Sequence, residues 1–140
     1  MMLKILVGAV SLLLSCEMAA CAQPSCKPTL LSHEEAEQLV LLVPEALAAK
    51  KLGGKLSTED EGADAAEFYS FMLNSTVSTP TTPLGNGMLG HFSVSKKTGR
   101  VLNIADEDVV SKELGELQRK LRAKHCIDSE MVTKEQDVGP

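Results

Sequence analysis

HFSVSKKTGRVLNI, residues 91–104, places two alternating apolar/polar runs on either side of a Lys-Lys-Thr-Gly-Arg cluster. Alternation with a period of two marks a half-buried strand. Gly99 stands where a tight turn needs a positive φ, so the stretch is read as an antiparallel hairpin with a type I turn and a bulge at Gly99. Phe92, Val94, Val101 and Ile104 are its inward side chains. Lys96, Lys97 and Arg100 fall at or beside the tip, where charge is solvated. A basic grip on nucleic acid is the competing reading. It needs a concentrated cationic face, whereas this chain carries a net charge of −5 with both signs interspersed.

Strands continue upstream. "FYSFMLNSTV", within residues 67–77, has the aromatic and β-branched content of a strand. Residues 87–95 form the next one. The acidic stretch 55–65 reads as a connector that begins with a short strand. Between them "STPTTPLGN", residues 78–86, is a connection longer than a hairpin needs. Further upstream, Ser32-His33-Glu34-Glu35 is a capping box, and Ala36, Leu39, Val40, Val43 and Leu47 recur at helical spacing. Pro44 lacks an amide proton and kinks or splits that helix. Gly53-Gly54 ends it.

Downstream, Val110, Leu114, Leu117 and Leu121 make the apolar stripe of an amphipathic helix. Gly115 is read as allowing close approach to the sheet. Residues 128–140 lack a pattern and read as a flexible tail. The expected fold class is therefore α+β. An N-terminal helix, kinked or split at Pro44, precedes an antiparallel sheet of three to four strands and a closing C-terminal amphipathic helix. Both helices pack on one face. Residues 32–127 form the single domain, after an extended lead-in at 23–31.

The first 22 residues read as a signal peptide. Lys4 supplies the positive end, Ile5–Leu14 an apolar run too short to span a bilayer, and Ala20-Cys21-Ala22 a cleavage site before Gln23. The chain has four cysteines. Cleavage after Ala22 leaves Cys26 and Cys126, an even pair suited to a disulfide in an oxidising compartment. A competing reading takes Leu13-Leu14-Ser15-Cys16 or Met18-Ala19-Ala20-Cys21 as a bacterial lipobox. Lipidation at Cys21 would keep the Cys26–Cys126 pair, and lipidation at Cys16 would leave an odd thiol. The protein is thus expected to be exported, periplasmic or secreted, with a lipid anchor to the envelope as the alternative.

The "EEAEQL" helix followed by the "FSVSKKTGRVLNI" hairpin resembles the small exported bacterial PepSY-like domains, over residues 32–104. The long closing helix and the Pro/Thr-rich connection are departures from that pattern. The resemblance implies a small extracytoplasmic binding or inhibitory module and carries no catalytic residues across.

The residues themselves point away from catalysis. His33, His91 and His125 lack ligand spacing. The His125-Cys126 pair is adjacent in sequence, whereas nucleophile and base usually meet through the fold. Glu59, Asp60, Glu61 and Asp64 lack the calcium-loop pattern, and no serine sits in a hydrolase motif. No cofactor is implied. The expected function is non-catalytic binding of an extracytoplasmic protein or peptide, through the open sheet face and the 78–89 connection. Its candidate contacts are Thr79, Thr81, Thr82, Leu84, Asn86 and Met88. The alternative is an inhibitor that inserts this connection into a secreted or envelope hydrolase.

Overall fold

The structure, a computed structural model, describes residues 26–62, 66–80 and 87–138 of the 140. Residues 1–22, read as a signal peptide and holding Cys16 and Cys21, lie outside these, as do Thr81, Thr82, Leu84 and Asn86. The element order is α1 (His33–Val40), α2 (Pro44–Lys51), β1 (Leu56–Asp60), β2 (Phe68–Ser75), β3 (Met88–Ser95), β4 (Val101–Asn103), α3 (Lys112–Lys124) and α4 (Ser129–Val138). The four strands form one antiparallel meander in the order β1-β2-β3-β4.

Local signals account for the helix ends. Ser32 accepts the Glu35 amide proton while the Glu35 carboxylate accepts that of Ser32, which completes the capping box. Pro44 occupies the first turn of α2, where its missing N–H costs nothing, so the long helix is split rather than kinked. Gly53, at φ +80°, closes α2: its amide bonds Lys50 and that of Gly54 bonds Ala49. Ser111 caps α3 through the Leu114 amide and donates its hydroxyl to the Leu42 carbonyl.

The pleat sorts the strands into two faces. Tyr69, Phe71 and Leu73 of β2 align with Phe92 and Val94 of β3, and Val101 of β4 lies opposite Val94. These meet Ala36, Leu39 and Val40 of α1, Ala46 and Ala49 of α2, and Leu114 and Leu121 of α3 in one core. Fully burying a Leu or Phe side chain contributes about 1.5–3 kcal/mol, so this layer is the main source of stability. The second face carries Ser57 and Glu59, then Phe68, Ser70, Met72 and Asn74, then His91 and Ser93, and finally Leu102. None of these residues belongs to the main core cluster, although Leu102 is itself buried.

The hairpin forms as expected, but its bulge is elsewhere. Val94 pairs with Val101, the Ser95 amide bonds the Arg100 carbonyl, and the Gly99 amide bonds Ser95. Lys96–Gly99 is thus a four-residue loop closed by Gly99 at φ +69°. The register shift falls between Leu73 and Asn74, where Gly90 and Met88 are the partners and Leu89 is the extra residue. Leu89 turns inward and is buried.

The tip is also less solvated than charge alone implies. Thr98 and Ser95 are fully buried because α4 covers them. The Glu135 carboxylate accepts both hydroxyl protons, and Gln118 and Arg122 of α3 donate to the Gly99 and Thr98 carbonyls. The lysines do stay outside: Lys97 pairs with Glu67, and the Lys96 ammonium sits 4.5 Å over the Tyr69 ring. Exposed contacts of this kind are screened by water and salt and contribute little. Lys97→Ala and Lys96→Ala should therefore each leave the urea-unfolding midpoint nearly unchanged.

Four expectations need correction. The tail is helical: Asp128 caps the Met131 amide, and Met131 and Val132 pack against the core. Two apolar contacts and one cap are too sparse to show as periodicity. Val110 precedes the N-cap and is 78% exposed, so the buried stripe of α3 is Leu114 and Leu121 with Leu117 partly covered. Ile104 lies one residue past β4 and is 80% exposed rather than inward. Gly115 is not held by sheet packing, since a Cβ there would meet nothing within 4 Å.

Candidate functional site

Three regions bring chemically capable groups together. The first is a clamp at the N-terminal lead-in. Residues 26–31 lie outside regular secondary structure, with the Thr29 amide bonded to the His125 carbonyl and the Leu31 amide to the Lys96 carbonyl. Cys26 and Cys126 are joined by a disulfide with their Cα atoms 5.7 Å apart, an ordinary separation. Cys126 takes φ +58° at the end of α3, with its amide bonded to Ala123 and that of Ile127 to Arg122. This is the same helix stop that Gly53 makes, here built on a residue whose left-handed backbone costs about 1–2 kcal/mol.

Beside the disulfide, Thr29 Oγ1 lies 2.7 Å from His125 Nδ1, and His125 Nε2 lies 2.8 Å from Glu35 Oε2. The carboxylate accepts from Nε2–H, which leaves Nδ1 of a neutral ring to accept the Thr29 hydroxyl. A hydroxyl, an imidazole and a carboxylate in line have the order of a nucleophile, base and orienting acid. The arrangement ties the lead-in to α1 and to the end of α3, since Glu35 also accepts from Lys124 Nζ at 2.6 Å and from the Ser32 amide at 2.8 Å.

Burial pushes the Glu35 carboxyl up, but Lys124, the Ser32 amide and His125 together outweigh it and hold the group at about 2 against an ordinary 4.5. A folded-state value below the unfolded one stabilises fully above about pH 4.5, and the contribution is lost as pH falls toward 2. Its upper limit is about 3 kcal/mol, reduced because Lys124 is largely exposed and screened. Glu35→Gln should therefore lower the unfolding free energy at pH 7. The gap between wild type and variant should close in a denaturation series from pH 5 to pH 2. A gap that stays constant across that series would contradict the ionic clamp.

The second region is the sheet face that neither α1 nor α2 covers. α1 and α2 lie on the core side, α3 packs on α1, and α4 closes the hairpin end. Phe68, Ser70, Met72, Met88, His91 and Ser93 are left half-buried. The β1 side of this face is acidic. Glu59 accepts from Asn74 Nδ2 at 3.1 Å, and Glu61 lies 2.7 Å from His91 Nδ1. At the β4 edge, Ile104 and Val110 are exposed, and Arg100 makes a two-pronged pair with Asp108. Of the other histidines, His33 pairs with Asp60, meets Tyr69 edge-on and lies tilted against Phe71.

The third region is the 78–89 connection. Thr79 is buried, and Met88 sits at the start of β3 opposite Asn74 on the second face. The other four named contacts lie outside the described residues. Sequence reading missed the groove between α3 and α4 entirely, because it assigned no helix after residue 127.

No protein-family model and no curated protein matches the chain. Among solved structures, it is similar to a chain of a type VI secretion system effector-immunity complex from Pseudomonas protegens. Identity is 22%, over 81% of this chain and 91% of that one, with a TM-score of 0.47.

Proposed function

We propose that the protein is a small exported bacterial module that binds an extracytoplasmic protein, without catalysis, through the second face of its sheet. The observation that supports this most is the asymmetry of the sheet. Helices α1 and α2 pack on one side, while Phe68 and Met72 sit half-buried outside the core on the other. Apolar side chains rimmed by polar ones mark interaction surfaces. The acidic Glu59 and Glu61 on this face select a partner with an apolar patch flanked by basic groups. Export is supported by the sequence pattern of residues 1–22 and by the disulfide, a bond that persists in oxidising compartments. The PepSY-like resemblance of residues 32–104 points to the same kind of module.

Ser93→Arg places a bulky cation at the centre of the face without removing a core contact, and Ile104→Asp charges its edge. Affinity capture from envelope and culture-medium fractions should recover a partner with the wild type. Each variant should weaken binding of that purified partner by about tenfold or more, at unchanged folding stability. Equal affinity for wild type and both variants would overturn the assignment. If deletion of residues 81–86 alone abolished binding, the contact would move to the connection and inhibition by loop insertion would become the better reading.

A further inference from the structure

We propose that the tip of the β3–β4 hairpin is a carboxylate-binding cradle that α4 of the same chain occupies as a displaceable internal ligand, and that accepts a glutamate-bearing segment supplied in trans once α4 has left. The loop itself aims the two hydroxyls of the cradle. Ser95 Oγ accepts the Lys97 and Thr98 amides at 3.2 and 3.1 Å, and Thr98 Oγ1 accepts the Arg100 amide at 3.3 Å. Each hydroxyl then has its one proton left to donate. Both protons go to the same group, one to each oxygen of the Glu135 carboxylate. Ser95 and Thr98 are fully buried, so these bonds are shielded from water. Lys97, Arg100 and Arg122 all turn positive charge toward Glu135. Arg100 also donates to the Glu135 carbonyl at 3.2 Å, and Arg122 is fixed by its bond to the Thr98 carbonyl at 2.8 Å. The neighbouring acids, Glu67 and Asp108, are paired with Lys97 and Arg100.

The occupant is held lightly everywhere else. α4 has no fully buried residue: Met131 and Val132 are half-buried against the core, and the Lys134–Glu130 pair is exposed. A helix of ten residues does not hold itself together in water. The chain reaches it through Cys126, at φ +58°, where α3 has already stopped. A hollow of about 320 Å³ remains between α4 and the hairpin, with Met131, Lys134 and Glu135 on one side and Glu67, Lys97 and Thr98 on the other. Close-packed interiors leave few voids larger than a water molecule, so α4 rests on its carboxylate contact more than on packing. Elements with few buried apolar contacts open well below the global unfolding free energy. The disulfide at Cys126 holds the end of α3, so the hinge stays in place when α4 departs.

Two measurements on the intact, oxidised protein test this. In hydrogen exchange of the wild type, the α4 amides should exchange at least about tenfold faster than those of β2, β3 and α1, through an opening confined to α4. The second uses Glu135→Ala, which empties the cradle in the full chain. An acetylated peptide of residues 128–138, DSEMVTKEQDV, should bind this variant saturably and shift the Lys97, Thr98 and Gly99 amide resonances. It should bind the wild type, whose cradle is filled, at least about tenfold more weakly. The same peptide carrying Glu135→Gln should bind the Glu135→Ala protein at least about tenfold more weakly than the parent peptide. Exchange of α4 in step with the sheet would overturn the proposal, and this result does not depend on whether Glu135→Ala folds. Absence of saturable binding to a folded Glu135→Ala, shifts away from the hairpin tip, or equal binding by the wild type or by the glutamine peptide would each overturn it as well.

Discussion

Gly99→Val is expected to cost about 3 kcal/mol or more. Two independent penalties combine there. Gly99 is at φ +69°, a region that a β-branched residue adopts only under strain, at about 1–2 kcal/mol. A Cβ at that position would also stand 3.2 Å from Leu31 Cδ2 and 3.4 Å from Leu39 Cδ1, both fully buried side chains. Both leucine methyls must shift within the core to admit the added carbons, and overpacking of this kind costs about 1–3 kcal/mol. Gly99→Ala should cost less, because only the Cβ is added. Gly99→Asn separates the two penalties, since asparagine tolerates the left-handed region but still adds the Cβ. Urea denaturation of the three variants should rank them Val, then Ala and Asn. A loss below about 1 kcal/mol for valine would show that the loop does not depend on this conformation.

Removal of the disulfide is expected to be larger still. Cys26 and Cys126 are 100 residues apart in sequence, and in the chain-entropy account a loop of that size stabilises by about 4–5 kcal/mol. The bond also anchors the lead-in beside the Thr29–His125–Glu35 clamp and holds Cys126 in its left-handed backbone. Reduction, or the Cys26→Ala/Cys126→Ala pair, should therefore lower the thermal midpoint by well over 10 °C for a domain of this size. Cys126→Gly in a Cys26→Ala background should recover about 1 kcal/mol over Cys126→Ala, because glycine suits the helix stop without strain. An unchanged midpoint after complete reduction, confirmed by thiol counting, would contradict this role.

What the sequence made legible follows the range of each interaction. The hairpin, the capping box of α1 and the split at Pro44 are short-range features. The strand alternation in residues 91–95 also reports which side of the sheet is buried. The Leu89 bulge was not legible, because Met88-Leu89-Gly90 alternates no worse than its neighbours and only the register with β2 reveals the extra residue. α4 was missed because polar contacts from Glu135 to Ser95 and Thr98, 40 and 37 residues away, hold much of it in place. The His125–Glu35 contact spans 90 residues. The capping role of Glu35 could be read from its spacing, but its second role depends on where α3 ends. The disulfide was legible for a different reason: once residues 1–22 are set aside, parity leaves one pair.

The second sheet face shows the same division. Its polar positions, Ser93 among them, are visible in the alternation, but only the register places Phe68, Met72 and Leu102 on that same face. A photo-reactive amino acid at position 93 or at position 38 tests the binding claim most directly. Ser93 is central on the second face, whereas Gln38 is exposed on α1 on the opposite side. Irradiation of each variant in the presence of its captured partner should give a covalent adduct from position 93 and none from position 38. Adducts from position 38 alone would place the partner on the helical layer and contradict the account.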